Sequence, residues 1–487
     1  MPDRVEHRRA HRLDEEDRAT VYYTALLINV GCHTDAHEQA KWFGDDIALR
    51  STKYDHELRG VRATASGMRA IGSGHPLVQR FRIGMEFALF GHRDLDEMLD
   101  HHADLARSLA EQLGLPEAVL DAVGAAYEQW DGKGWPGMLK GASIPIAARI
   151  SQLAEFTEVA HRVGGVAQAK AQAKKRRARQ YDPRLVDILV ADADAILADL
   201  DQVRTWDAVI QIEPSLTVSL TADRFDAALQ AVANFVDLKS PYLLGHACGV
   251  ADLAAAAATE LGMAPVEVHR IRRAGLVQGF GRLGVSNSIW DKPGPLGVGE
   301  WERMRMYPYL TERMLRQSAP LCGLGSIAVQ IREHLDGSGY PHGLSGAAIS
   351  RPARVLAAAD AYQAMREPRP YRDARLPEDA AAELRAEVKA GRLDDEAVRA
   401  VLVAAGHRVP RRRDGPAGLT AREVDVLRFA ARGLTNKDIA AILVISPKTV
   451  ANHIEHIYTK IGATSRATAS LFAMKHGLLP EEESVLA

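Results

Sequence analysis

The sequence predicts a mainly α-helical protein with two repeated helical bundles followed by a C-terminal module of four short helices. Three observations support this fold class. Apolar residues recur at helical spacing through most of the chain, strand-like alternation is scarce, and one segment repeats at a fixed offset. The exceptions are residues 209–212 and 216–218, where apolar and polar residues alternate and predict short extended segments.

The repeat defines two units of similar length. Asp131 begins the segment Asp-Gly-Lys-Gly-Trp-Pro, and Asp336 begins the segment Asp-Gly-Ser-Gly-Tyr-Pro. Over the 25 positions from each aspartate, 11 residues are identical without gaps, and Glu128 matches Glu333 just upstream. Chance rarely preserves glycine, proline and aspartate together, because each meets its own backbone requirement. We therefore predict tandem units at residues 1–205 and 206–407, the first expected to be incomplete at its N-terminus.

Length and charge indicate the domain organisation. A chain of 487 residues suggests about three domains. With 47% hydrophobic and 25% charged residues, wholesale disorder is excluded. The net charge of −2 gives no general attraction for nucleic acid, but residues 408–478 hold 12 Lys and Arg against 5 Asp and Glu. This basic end, with a linker rich in proline and arginine at residues 408–417, predicts contact with phosphate.

The three cysteines, Cys32, Cys248 and Cys322, lack CxxC spacing and form neither a disulfide framework nor a zinc knuckle. No apolar run is long enough for a membrane helix, and residues 1–18 lack the apolar core of a signal peptide. The sequence therefore predicts a cytoplasmic protein with no membrane partner.

Capping residues divide the C-terminal module into four helices. Their predicted starts are the capping boxes Thr420/Glu423 and Thr435/Asp438, the pair Ser446-Pro447, and Arg466. In the third helix the residues Val450, Ile454, Ile457 and Ile461 form an apolar stripe. Polar residues lie off that stripe, namely Lys448, Thr449, Asn452, His453 and His456. We expect this helix to enter the major groove of double-stranded DNA, with Lys437 and Lys460 at phosphates.

Residues 419–424, 433–440, 445–450, 453 and 460–462 closely resemble the LuxR/GerE family of helix-turn-helix domains. The resemblance covers about residues 418–480 and implies a four-helix domain without a wing, predicted at residues 418–482. It also implies that Lys448, Thr449, Val450 and His453 lie at the DNA, and that the fourth helix can pair two protomers. A homodimer on a palindromic site then follows by symmetry. The alternative is a four-helix interaction module without DNA binding.

Residues 336–346, together with 290–294, 300–305, 353–354, 359–362 and 369–372, resemble the HD-GYP family. Within this Gly-Tyr-Pro loop the signature residues are Asp336, Gly337, Gly339, Tyr340 and Pro341. Active members of that family hydrolyse cyclic di-GMP on a centre of two or three iron or manganese ions, held by histidines and aspartates in a helical bundle. The resemblance implies the same bundle for residues 221–407.

Most of the metal ligands that the resemblance implies are absent. The His-Asp pair aligns with Gln278 and Gly279, the following lysine with Arg282, a further histidine with Tyr307, and the His-His pair with Ile331 and Arg332. Only His246 and Asp360 remain, and two ligands cannot hold a binuclear centre. Arg332 would bring positive charge to the metal position. His334 is close in sequence but should point elsewhere.

The first unit departs further from the family. Its aligned positions hold Ile28 and Asn29, Ala126 and Tyr127, and Glu155 in place of Asp360. An insertion in this unit contains Cys32, His33, Asp35 and His37, which could form a substitute metal site, or belong to a polar loop with ordinary histidines.

The sequence thus favours a DNA-binding transcriptional regulator in which the degenerate HD-GYP-like units act as a sensory or interaction module. The effector would be a small nucleotide or a protein. No cofactor is expected, although metal binding stays an open alternative. A metal-dependent phosphohydrolase linked to a DNA-binding domain is the rival hypothesis, and an assembly scaffold is the third. No receiver domain is evident, so control by aspartyl phosphorylation is not supported.

Overall fold

The computed structural model describes residues 13–46, 71, 77–87, 92–198, 200–202, 205–213, 220–408 and 416–479. This part of the chain consists of α-helices, short 3₁₀ helices and isolated bridges, which confirms the predicted mainly α fold. The chain divides into two compact units, Met1–His407 and Arg408–Ala487. Most of the predicted linker, residues 409–415, lies outside the described residues. None of the described helices has the length and apolar character that a membrane crossing requires.

The first repeat contains seven described helices. They are α1 (Glu15–Leu27), α2 (Ala36–Phe43), α3 (Leu77–Glu86), α4 (His92–Gln112), α5 (Glu117–Gly124), α6 (Ile146–Arg176) and α7 (Pro183–Ile196). Helix α1 packs against α5 and α6, and α7 packs against α6. Helix α6 bends where Gly164 and Gly165 leave helical backbone geometry. The basic residues at the end of α6 are partly paired on the surface, with Lys170 bonded to Asp194 at 2.8 Å.

Helix α8 (Thr205–Gln211) follows, so the extended segment predicted at residues 209–212 is wrong. Trp206 precedes Val209 and Ile210 by three and four positions, a helical spacing that outweighs the short alternation. The second predicted extended segment, residues 216–218, lies outside the described residues.

The second repeat is built around an alanine-rich central helix. Its helices are α9 (Ala222–Asp237), α10 (His246–Glu260), α11 (Pro265–Val277), α12 (Asn287–Trp290), α13 (Val298–Arg305), α14 (Tyr307–Leu315), α15 (Ala319–Ala328), α16 (Arg351–Arg366), α17 (Pro377–Lys389) and α18 (Asp395–Ala404). Helix α10 packs against α11, α16 and α18. The approach to α11 is very close, because a Cβ at Gly275 would lie 2.6 Å from the Cα of Ala251. Small side chains on both helices make this packing possible.

The two Gly-Tyr-Pro-type loops have the same internal structure. Gly132 and Gly337 have φ of 78° and 82°, a left-handed geometry that favours glycine. A Cβ at Gly134 would meet the backbone of Gln129 at 2.4 Å, and one at Gly339 would meet that of His334 at 2.4 Å. Both loops end in a cis X-Pro bond. The two loops are therefore repeated in structure as well as in sequence.

Buried glutamates hold both loops. The Glu128 carboxylate accepts hydrogen bonds from the amides of residues 137, 138 and 139, and the Glu333 carboxylate accepts them from residues 342 and 344. After each loop an arginine binds the N-cap aspartate of a later helix. Arg149 lies 2.6 Å from Asp182, and Arg354 lies 3.1 Å from Asp394. These contacts explain why glutamate, aspartate and arginine recur with the glycines.

The two repeats pack together within the N-terminal unit, through α4 against α9 and α2 against α12. A fully buried ion pair lies at this contact. Asp46 of the first repeat is 3.4 Å from the Lys239 amine, and it accepts hydrogen bonds from the Ser286 hydroxyl and the Asn287 amide. Several partners therefore compensate the buried carboxylate at the contact between the two repeats.

The C-terminal unit contains the four predicted helices, α19 (Ala421–Ala431), α20 (Asn436–Leu443), α21 (Pro447–Ile461) and α22 (Arg466–Lys475). Both predicted capping boxes form, and Ser446 caps α21 ahead of Pro447. The core is apolar and takes residues from every helix, including Leu427, Ile439, Ile457 and Ala473.

Candidate ligand pocket and nucleic-acid interface

The two remaining family ligands meet in the second repeat. His246 begins α10 and Asp360 lies in α16, and both side chains are buried. The Nε2 atom of His246 is 3.1 Å from Asp360 Oδ1, and its Nδ1 atom is 2.7 Å from Glu367 Oε2. Carboxylates therefore occupy both nitrogens of the imidazole, and neither faces an open coordination position.

Arg332 occupies the place expected for a metal ligand and binds Asp360 directly. Its Nη2 atom is 2.8 Å from Asp360 Oδ2, and its Nε atom donates to the Tyr307 hydroxyl at 2.8 Å. Burial would raise the pKa of Asp360, but the charge of Arg332 and the hydrogen bond with His246 hold that pKa well below its usual range. Asp360 is thus an ionised partner of a guanidinium. His334 contacts the Ser338 hydroxyl at 2.9 Å instead.

A second guanidinium lies on the other side of Asp360. Arg282 is buried, and its Nη2 atom is 3.9 Å from Asp360 Oδ1 and 3.4 Å from Gln278 Oε1. Its guanidinium lies 5.7 Å from the ring centroids of both Trp290 and Tyr307. Gly279, where the family has aspartate, leaves the necessary room, because a Cβ there would approach Arg282 Nη1 to 3.2 Å.

The residues at this position do not fit the di- or tri-metal centre that the resemblance implied. A binuclear site needs several carboxylates and neutral imidazoles converging on two cations. Here the lone pairs of Asp360 face two guanidinium groups and a histidine, which repel a cation and compete for the carboxylate. Throughout the described residues, no group of three His, Cys, Asp or Glu side chains is arranged to hold a metal ion.

A cavity of about 730 Å³ opens beside this cluster. Arg282 and Arg332 lie on its wall with His246, and Tyr340 of the Gly-Tyr-Pro loop also lines it. Burial raises the pKa of Tyr340 to about 12, so its hydroxyl stays protonated. Asp336, Gly337, Gly339 and Pro341 shape the loop, and only Tyr340 of the five loop residues reaches the cavity wall. The volume is typical of pockets for small organic ligands.

At the corresponding position of the first repeat, different side chains contact one another. Asn29 donates its side-chain amide to Glu155 at 2.9 Å, and the Tyr127 hydroxyl lies 3.4 Å from Cys32 Sγ. Glu155 aligns with Asp360, so a carboxylate stands at this position in both repeats.

The cysteine-histidine cluster of the first repeat does not converge. His33 contacts the carbonyl oxygens of Val30 and Phe235, while Cys32 lies against Tyr127. Asp35 pairs with His102, and the Nδ1 atom of His37 lies 2.8 Å from Asp291 Oδ2. Each of the four side chains has its own partners, which corrects the idea that they form one substitute metal site.

The His37–Asp291 contact links the first repeat to the cavity of the second. Asp291 lines that cavity. Its carboxylate also accepts hydrogen bonds from the Ser240 hydroxyl and the Asn287 side-chain amide. The hydrogen bond with Asp291 raises the pKa of His37. Sequence reasoning placed His37 in a different cluster, because no local pattern relates it to a residue more than 250 positions away.

The C-terminal unit presents the predicted polar face of helix α21. Lys448 and Asn452 are exposed, and Thr449 and His453 are partly exposed. Lys437 is exposed in the first turn of α20. Within the described part of the chain, no ion pair engages Lys437 or Lys448. Val450 and Ile457 are buried on the opposite face, as the apolar stripe predicted.

Two residues of the predicted DNA contact set make contacts within the domain. Val450 is 0% exposed in the core, so it supports α21 from behind, which corrects the expectation that it lies at the DNA. The Lys460 amine is 2.7 Å from the buried Glu423 carboxylate and donates to the Gly418 carbonyl. This bond joins the end of α21 to the capping box of α19.

Each of the two compact units matches a known family. The family model described as HD domain matches residues 92–185 and 230–397, more than half of the chain. The chain belongs to the HD domain family. A second model, described as bacterial regulatory proteins of the luxR family, matches residues 417–473 of this HD domain protein. The resemblances to both families are therefore confirmed, and the C-terminal unit is a DNA-binding helix-turn-helix domain.

Individual relatives of the HD domain protein fall into the same two groups. It is 28% identical over 366 residues to the 3′3′-cGAMP-specific phosphodiesterase 3 of Vibrio cholerae, covering 74% of this chain and 80% of that protein. It is 48% identical over 60 residues to the transcriptional regulatory protein YhcZ of Bacillus subtilis, covering 12% of this chain and 28% of that protein. A crystal structure of a V. cholerae cyclic GMP-AMP specific phosphodiesterase shares the fold, with a TM-score of 0.50, 23% identity, and coverage of 81% and 98%.

Proposed function

We propose that this HD domain protein is a sequence-specific transcriptional regulator whose second repeat binds a small nucleotide or a protein effector without hydrolysing it. The observation that carries the proposal is the Arg332 guanidinium, 2.8 Å from Asp360 where the family needs a metal ligand. A cavity beside this pair supports ligand binding, and the exposed residues of α21 support DNA reading. The protein would act on chromosomal DNA in the cytoplasm.

DNA recognition follows from the polar face of α21. Lys448 in its first turn would contact base edges or phosphates in the major groove, and Asn452 and His453 would lie one turn further along. Lys437 at the start of α20 would contact phosphate. A homodimer paired through α22 would read a palindromic site with half-sites about one helical turn apart.

Selection of bound genomic fragments followed by DNase I footprinting tests this proposal. We expect the full chain to protect a palindromic operator, and Lys448→Ala to weaken binding by about tenfold or more at physiological salt. Lys389→Ala, an exposed lysine at the end of α17 in the N-terminal unit, is the matched control and should bind normally. A chain that protects no operator, or a Lys448→Ala variant that binds as wild type does, would reject the regulator.

The similarity to the V. cholerae phosphodiesterase favours a second candidate, a metal-dependent phosphodiesterase joined to a DNA-binding domain. Incubation with manganese or ferrous iron and either 3′3′-cGAMP or cyclic di-GMP distinguishes the two. We expect no turnover from the regulator. Metal-dependent turnover that Asp360→Ala abolishes would replace the ligand-binding proposal with the enzyme.

A further inference from the structure

Exposed basic side chains gather on the first repeat, where the end of α6 meets the Gly-Trp-Pro loop. Lys174 and Lys175 belong to the last turn of α6, and Arg179 lies just beyond the helix. Lys133 and Lys140 belong to the loop. All five side chains are exposed, and we refer to them together as the basic surface.

Backbone contacts hold the two segments of the basic surface together. The amide of Asp131, in the loop, donates to the carbonyl oxygen of Arg179 at 2.8 Å. A Cβ at Gly132 would lie 3.1 Å from the Cβ of Lys140, so Lys140 packs over the start of the loop. The cations of this surface therefore come from two segments that the fold joins, and not from a single charged run.

Acidic residues of α7 neutralise cations next to the basic surface. Lys170 lies 2.8 Å from Asp194, and the Arg177 guanidinium lies 2.7 Å from Asp187. Within the part of the chain that the structure describes, no ion pair engages three members of the basic surface, namely Lys140, Lys174 and Lys175. Positive charge on this surface is thus left without a counter-charge from the described chain.

The second repeat builds the same junction between loop and helix end. The amide of Trp130 donates to the carbonyl oxygen of Gln180, and the amide of Leu335 donates to that of Arg392 in the second repeat. In each repeat an aspartate two residues further along caps the next helix. Positions around the two junctions can therefore be compared one by one.

This comparison reveals a large difference in charge. Residues 170–184 hold seven Lys and Arg against one acidic residue, whereas the equivalent residues 382–396 hold three against five. Glu387 stands at the position of Lys175. Both loop lysines of the basic surface are replaced by serine in the second repeat. The helix dipole favours cations in the last turn of α6, but it does not account for the lysines of the loop. The junction therefore forms without this charge.

The basic surface suits the phosphates of double-stranded DNA better than other anionic surfaces. A membrane-binding helix inserts large apolar side chains, but the exposed residues of 167–179 include none, and the loop contributes only Met138. No exposed aromatic ring accompanies the cations, as binding of single strands would require. The same chain carries a DNA-binding domain at residues 417–473. DNA bound there is at a high effective concentration for any other cationic surface of the chain that can reach it.

We propose that the basic surface of the first repeat is a second DNA-binding surface, which contacts phosphates of duplex DNA without reading the base sequence. This inference goes beyond the proposed function, because it assigns DNA contact to the HD domain unit as well as to the helix-turn-helix domain. Contacts to phosphate carry no sequence information, so this surface adds affinity on every duplex equally.

Fluorescence anisotropy of the full chain with a random-sequence duplex and with the selected operator fragment, at several salt concentrations, tests the inference. In the double variant Lys174→Gln/Lys175→Gln, the slope of log affinity against log salt should fall by about 1.8. Binding at about 0.1 M salt should weaken by at least about tenfold, and equally on both duplexes. The control is Arg385→Gln/Lys389→Gln, which removes two exposed cations from α17 of the second repeat and should bind as wild type does.

A second double variant, Lys133→Gln/Lys140→Gln, should lower the salt slope in the same way and guards against a local effect on α6. A slope equal to that of wild type in both variants, or an equal loss in the control, would overturn the inference. So would a loss confined to the operator, or variants that lose binding to phosphatidylserine vesicles while binding DNA normally. The regulator is tested separately, because Lys448→Ala should lower the preference for operator over random duplex, whereas the basic-surface variants should leave that preference unchanged.

Discussion

The two repeats of the N-terminal unit share a scaffold but differ at its centre. Both hold the loop with a buried glutamate, Glu128 or Glu333, and both place a glycine against backbone. At the centre, the second repeat pairs Asp360 with Arg332, whereas the first bonds Glu155 to Asn29. The comparison teaches that contacts within the chain hold the signature loop in both repeats, although the residues at the two centres differ.

The shared scaffold gives the largest expected effect. Gly339→Ala and Gly134→Ala should each destabilise the protein by about 3 kcal/mol, because the new Cβ meets backbone that cannot move aside. Gly323→Ala in α15 is the control, since nothing lies within 4 Å of its Cβ, and it should be neutral or stabilising. Urea unfolding measures all three. If either loop variant is as stable as the control, that loop does not stabilise the protein in the way that the other loop does.

The second largest expected effect on stability comes from the Asp360–Arg332 pair at the centre of the second repeat. Arg332→Ala leaves Asp360 ionised and buried, and should destabilise the protein by about 3 kcal/mol at pH 7. The depressed pKa of Asp360 means that its contribution is fully present above the unfolded value of 3.8 and is lost as the pH falls through the folded pKa. The gap between Arg332→Ala and wild type should therefore narrow toward acid pH in thermal melts. A gap independent of pH would mean that Arg332 acts by packing and not through the ion pair.

The contact between the repeats gives the smallest effect. His37→Gln should destabilise the protein by about 1 kcal/mol at pH 6 by removing the ion pair with Asp291. Because the pKa of His37 is raised, its contribution is complete below the unfolded value of 6.5 and is lost as the pH rises through the higher folded pKa. Denaturation at pH 6 and at pH 9 should show that the difference in the free energy of unfolding between wild type and His37→Gln is smaller at pH 9. A constant difference would exclude protonation of His37 as the source.

Much of the fold could be predicted from the sequence, because it depends on local signals. Capping boxes, the apolar stripe of α21 and the glycines of the loops act over a few residues, and the structure confirms them. The helix at Thr205–Gln211 was missed because a short apolar run supports two periods. The burial of Val450 followed from the stripe, which was a better guide to its place than the family motif.

The contacts of the candidate site were less predictable. The loss of metal ligands and the positive charge of Arg332 were readable from the aligned positions. The partners of His246 and His37, namely Glu367 and Asp291, come from distant segments that only the folded chain brings together. The engagement of Lys460 by Glu423 was hidden for the same reason, since a lysine near the end of a recognition helix suits phosphate equally well.

The metal content of the purified full chain tests the central claim about the second repeat most directly. After incubation with manganese or ferrous iron and removal of excess metal, elemental analysis should find far less than one ion per chain, with no change in Asp360→Ala. One or more tightly held ions per chain, lost in Asp360→Ala, would show that a metal ion binds at Asp360 despite Arg332 and Arg282. That result would contradict the account.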